Sequence, residues 1–166
     1  DKNVAIGTNA GADSTTSGFN VLIGYNAGAA QTTGDSNVYI GSGVADAVTT
    51  AANNVVIGQQ AFGTVPAGQA VTGVVAIGKN AVIGSASTTN GINYTTAIGY
   101  QAGNALTTGA GNIAIGAYAG DALTTGDYNT LMGYQALSVA TGSDKNTAIG
   151  YQALTVASAS NDAGTN

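Results

Sequence analysis

The chain has 166 residues, enough for one ordinary domain, but only 7% of them are charged: all eight acidic residues are Asp, the three basic ones are Lys2, Lys79 and Lys145, and Arg, Glu, His and Cys are absent. A net charge of −5 argues against a nucleic-acid partner and against a polybasic membrane contact. The missing Cys removes disulfides and thiolate chemistry, and no apolar run approaches the ~20 residues of a membrane-spanning helix. The chain begins at Asp1 with no signal-peptide pattern, which reads as a mature or trimmed segment. Low charge with few large apolar residues suits disorder, but 44% of the residues are apolar and they recur in strict phase.

That phase is set by a nine-residue phrase that occurs nine times, in its fullest form as N-T-A-I-G-Y-Q-A-L at 146–154. Its glycines are Gly7, Gly24, Gly41, Gly58, Gly78, Gly99, Gly116, Gly133 and Gly150, spaced by 17, 17, 17, 20, 21, 17, 17 and 17 residues. A fixed short period marks an array rather than a conventional globular domain. With this Gly as position 0, position −4 is Asn in seven repeats: Asn3, Asn20, Asn37, Asn54, Asn112, Asn129 and Asn146. Val74 and Thr95 replace it in the two long repeats. Position −3 is always β-branched. Position −1 is Ile6, Ile23, Ile40, Ile57, Ile77, Ile98, Ile115 and Ile149, with Met132 as the one exception. Position +3 is Ala in eight repeats and Val44 in the other.

The segment before each Gly predicts a short strand, with β-branched residues at alternate places on one face. The intervening position −2 (Ala5, Leu22, Tyr39, Val56, Ala76, Ala97, Ala114, Leu131, Ala148) is also mostly apolar. A strand apolar on both faces is usually covered on both. One face is therefore expected to line the interior of a coil and the other to meet a neighbouring chain or sheet, with the Ile/Val ladder holding the core. The recurring Gly fits a corner that needs positive φ or close packing, and the Ala after it a crowded inner turn.

The second half of each repeat is looser. It reads L-T-T-G at 106–109 and 123–126, and alternates Leu137-Ser138-Val139 and Leu154-Thr155-Val156 near the end. This predicts a second short strand followed by a Gly/Asp/Asn turn. The fold expected is all-β: a parallel β-solenoid (β-roll or β-helix) of nine coils occupying 1–158, with the long repeats at 59–99 and a tail or linker at 159–166. At about 4.8 Å per coil the rod is roughly 40 Å long. Stacking turns the Asn column into a ladder whose side-chain amides can bond along the stack, and Tyr25, Tyr100, Tyr134 and Tyr151 into a partial aromatic ladder. Each coil buries little, which favours association of several chains.

The period breaks twice, with extra residues in 63–72, which holds Pro66, and in 85–94. Insertions in a solenoid bulge as loops, and loops on a rigid scaffold often carry binding residues. Thr64, Pro66, Gln69, Thr88, Asn90 and Tyr94 are the candidate contacts with a cell-surface glycan or protein receptor.

No catalytic constellation is visible: the usual general bases and nucleophile triads need residue types that are missing. Asp13, Asp35, Asp46, Asp121, Asp127, Asp144 and Asp162 lie near predicted turns, and neither calcium-loop pattern is present, so turn capping is the reading and no metal or other cofactor is expected. Thr pairs such as Thr107-Thr108 point to opposite faces of a strand, which does not suit a flat ice-binding surface. The Tyr column suits either sugar stacking or packing at a seam between chains, the second being preferred.

The phrase N-T-A-I-G-Y-Q-A-L followed by T-T-G at a 17-residue step resembles the repeat region of phage-type tail-fibre proteins. Members of that group often end in a self-cleaving chaperone domain of the endosialidase type, which this sequence lacks. The N-x-A-I-G core is similar also to the head repeats of YadA-like trimeric adhesins, whose shorter coils form a left-handed parallel β-roll. The resemblance spans 3–158 and implies a homotrimeric fibre on a virion or outside the cell. The expected function is a structural and attachment module of a phage-like tail fibre, not an enzyme, partnered by itself and by a surface receptor. The alternative is a bacterial adhesin head or the subunit of a self-assembling extracellular filament.

Overall fold

The computed structural model describes residues 2–84 and 91–155. It contains nine three-residue strands: β1 (Val4–Ile6), β2 (Val21–Ile23), β3 (Val38–Ile40), β4 (Val55–Ile57), β5 (Val75–Ile77), β6 (Thr96–Ile98), β7 (Ile113–Ile115), β8 (Thr130–Met132) and β9 (Thr147–Ile149). They form one parallel sheet in chain order, each strand paired with the next. The register never slips: Val4 lies beside Val21, Val21 beside Val38, and so on to Thr130 beside Thr147. The long repeats keep this register too, with Val55 beside Val75 and Val75 beside Thr96. The chain is a parallel β-solenoid with a period of about 17 residues, and its nine strands bound eight complete turns rather than nine. No helix occurs among the described residues.

The expected second strand of each coil is absent among the described residues; turns and bends occupy that half. Left-handed backbone recurs at +2 (Asn26, Gln101, Gln135), at +4 (Ala45, Phe62, Leu137) and at −5 (Phe19, Tyr94, Tyr128), which breaks any extended run. Hydrogen bonding between coils continues there all the same. The amides of Thr32 and Thr33 both donate to the Thr49 carbonyl, at 2.9 and 3.2 Å, and Thr124 and Thr125 share Thr141 in the same way. The first Thr of each pair adds its hydroxyl, as Thr107 Oγ1 does to the Thr124 carbonyl at 2.9 Å. The Thr pairs are thus staples along the stack, with these hydroxyl protons spent on the neighbouring coil.

The Gly column shows why no other residue stands at the corner after each strand. Gly99 has φ +137, and a Cβ built on it would meet the Gly116 carbonyl oxygen at 2.5 Å. The same clash with the next coil's Gly recurs for Gly7, Gly24, Gly41, Gly58, Gly78, Gly116 and Gly133, so the corner demands both unusual backbone and direct backbone contact.

The interior corrects the expected core. Position −2 is buried in every strand from β2 to β9, while the flanking −3 and −1 residues are half-buried or exposed. The Ile column therefore points outward and does not hold the core. The reason is phase: the buried Asn at −4 lies two residues before −2, so these two share the inner face and −3 and −1 share the outer one. The core consists of the −2 residues, the +3 alanines, and larger side chains such as Phe62, Leu106, Leu123 and Leu137.

Packing between coils follows a size rule. A small residue at +4 of one coil meets a large one at −2 of the next: Gly11 with Leu22, Gly28 with Tyr39, Gly120 with Leu131. At the corresponding places the sizes are reversed, with Phe62, Val82 and Leu137 at +4 and Ala76, Ala97 and Ala148 at the −2 that follows, all buried. Where both are small, at Gly103 and Ala114, Leu106 fills the space, its Cδ1 lying 2.9 Å from where a Cβ on Gly103 would sit.

Candidate functional site

The most extended candidate feature is the outer face of the sheet. It carries two parallel columns, Val/Thr/Ile at −3 and Ile/Met at −1, running over all nine strands. Exposure is greatest at the ends, 58% for Ile6 and 64% for Ile149, and reaches 42% for Met132. The first five strands are Val–Ile throughout; Thr96, Thr130 and Thr147 enter the −3 column only later. No charged residue interrupts either column.

Behind this face, the Asn column is a continuous amide ladder in two blocks. Asn37 Nδ2 donates to the Ala51 carbonyl at 2.8 Å and to Asn20 Oδ1 at 3.2 Å. Asn37 Oδ1 accepts from the backbone amide of Asn54 at 3.0 Å and from its Nδ2 at 3.1 Å. The first block joins Asn3, Asn20, Asn37 and Asn54, and the second Asn112, Asn129 and Asn146. Val74 closes the first block with its backbone amide on Asn54 Oδ1, and Thr95 leaves a buried hydroxyl without a partner. The Asn residues of the interior coils are completely buried, so the ladder is structural.

Around the Gly corner from the sheet lies an aromatic array. Tyr100, Tyr118, Tyr134 and Tyr151 follow one another with ring centroids 5.3, 5.9 and 5.5 Å apart. Tyr118 was not among the residues expected there. It occupies +2 rather than +1, and bridges the gap left by Ala117. Desolvation first, and then its phenol neighbours, raise its pKa. Tyr25 stands apart from this array, four strands away from Tyr100 in the stack. A second set of aromatics occupies −5. Tyr94 lies against Gly73 and Tyr128 against Gly111, each covering a glycine one coil back, and Lys2 Nζ sits 5.0 Å above the Phe19 ring.

Carboxylates serve the turns. Asp35, Asp127 and Asp144 accept backbone amides one coil earlier, from Gly18, Ala110 and Asp127, at 2.6 to 2.8 Å. Among the described residues no three His, Cys, Asp or Glu side chains gather where they could hold a metal ion.

The loop residues are not brought together. Thr64 is half-buried, with its hydroxyl on the Ile83 carbonyl at 2.5 Å. Pro66 and Gln69 are half-buried and flank an exposed turn at Ala67 and Gly68, whose amide donates to Thr49 Oγ1 at 2.6 Å. Val65 and Val71 on either side stay in the core, so the insertion leaves the stack undisturbed. Tyr94 is 70% exposed and stands at −5 on the coil surface. Thr88 and Asn90 lie outside the described residues.

One concavity forms where surface columns lose their side chains. It has a volume of about 290 Å³ and is lined by Gly43, Asp46, Gln60, Gly63, Thr64 and Ile83. Sequence reading did not single it out, although a signal existed: +2 carries Asn or Gln in seven repeats, and Gly43 is the one glycine in that column.

No protein-family model matches the chain, and neither does any curated protein or solved structure.

Proposed function

We propose that the chain is a structural and attachment module whose outward sheet face is the seam for a homotrimer, forming a segment of a fibre on a virion or outside a cell. The observation that carries this reading is the uncharged outer face, Val–Ile over its first five strands and with Thr96, Thr130, Thr147 and Met132 entering later. Parallel strands are normally covered on both faces, and here only the inner face is covered within the chain. A face of nine rungs and three-residue strands offers roughly 40 by 10 Å of β-branched surface per copy. Identical copies side by side set like rungs against like. The trimer is favoured over other orders by the likeness of the N-x-A-I-G repeat to trimeric fibre and adhesin heads. Three copies would present identical surfaces, so weak receptor contacts add by avidity. The remaining surface, with the 64–71 loop, is where a glycan or protein receptor would bind. No catalytic role is proposed.

Native mass in dilute solution tests this. A discrete trimer is expected, and Ile57→Glu with Ile77→Glu should release monomers by placing charges in the seam. A wild-type chain that stays monomeric would sink the trimer. A polydisperse series of long particles would instead favour the filament subunit.

A further inference from the structure

We propose that the notch across the third to fifth coils binds a primary ammonium group, with Ile83 against the carbon skeleton that carries it. The notch exists because two surface columns are each missing a side chain. Gly43 takes the +2 place held elsewhere mostly by Asn or Gln, and Gly63 takes the +5 place between Asp46 and Ile83. The polar groups left on its walls are mainly acceptors. Asp46 supplies a carboxylate. The Thr64 hydroxyl has already given its proton to the Ile83 carbonyl, so its oxygen can only accept from a guest. Gln60 can turn its amide oxygen inward.

Two acceptors, a third available from the Gln60 amide, and no cation among the lining residues match an ammonium, which has three donors and no acceptor. Ile83 provides an apolar wall for the stem, as lysine stems lie along apolar surface while the charge stays polar. An anion would face Asp46 and the negative net charge of the chain. A hard divalent cation would want six or more oxygen ligands, more than one carboxylate and two neutral side chains supply. Desolvation raises the pKa of Asp46, so its charged form gains when a cation arrives.

The group could be carried by a lysine side chain or by an amino sugar. The notch lies past the Gly corner, away from the outward sheet face, so the test reads the same whether or not copies assemble. The probes are Nα-acetyl-lysine methylamide, which keeps its ε-ammonium, and glucosamine, titrated at low salt while the Asp46 carboxylate carbon is followed by NMR. A saturable shift is expected with at least one probe, and the tighter one identifies the carrier. Asp46→Asn should weaken binding by about tenfold or more. Gly43→Asn should do the same by refilling the notch. It keeps the fold: the φ there is +61, which Asn tolerates, and a Cβ meets nothing closer than 3.7 Å. Unchanged unfolding midpoints would verify that both variants remain native. No saturable shift with either probe, or wild-type affinity in either variant, would overturn the proposal.

Discussion

At the scale of single residues, the Asn column shows how a polar group earns a place in a narrow interior. Asn37 is completely buried, yet both amide hydrogens and its oxygen are used. Asn37→Ala leaves the Ala51 carbonyl and the Asn54 amide without their side-chain partner. At about 1–3 kcal/mol for each buried group orphaned, the loss is roughly 2–6 kcal/mol, read from denaturant unfolding. Asp121 is the opposite case. One of its oxygens is buried without a partner, and desolvation raises its pKa above the ordinary 3.8. An acid whose folded pKa is raised binds its proton more tightly when folded. Its contribution is therefore most favourable below the ordinary value and declines as the pH climbs through it toward the raised one. Asp121→Asn should flatten that part of the profile, so that the melting temperature gained on acidification toward pH 4 is smaller than in the wild type.

Among elements, the coil-to-coil size rule makes neighbours interdependent. Ala97→Leu adds bulk beneath Val82 and should cost about 1–3 kcal/mol. Val82→Gly opens that space and also relieves a β-branched residue at φ 48. The double variant recreates the pairing of Gly120 with Leu131, and a double-mutant cycle should show most of the Ala97→Leu cost recovered. The strands themselves were legible, because three β-branched or apolar residues before a Gly recur in phase. Which face turned inward was also written in the sequence, since Asn at −4 and the size-variable −2 residue are two apart. The weight given to the conspicuous Ile column hid it. The missing second strand was not legible: nothing in Thr-Thr-Gly announces left-handed backbone at Ala45, Phe62 or Leu137.

Over the whole molecule, the period was read directly, because insertions of three and four residues leave Val55, Val75 and Thr96 in register. The surface was harder to read. The tyrosine array needed Tyr118 from a different column, and the notch is defined by side chains that are missing, which a search for motifs passes over. Each coil touches the coils on either side, so stability should be close to a sum over interfaces. Deleting residues 100–116 joins Gly99 to Ala117 and preserves every column, including Gly120 with Leu131. That variant should fold with a rod shorter by about 4.8 Å in solution scattering. Deleting half as many residues puts Gly beside a side chain and should unfold the coils that follow.

The unslipping register has a last consequence, for size. Because only whole coils can be gained or lost without clashing the Gly column, the length of this molecule is quantised. Duplication or loss of one repeat moves everything beyond it by one fixed step and leaves its surroundings unchanged. Such a chain is a ruler: it can set the distance between whatever is fixed at its two ends, and that distance can be retuned one coil at a time while the strand register is kept.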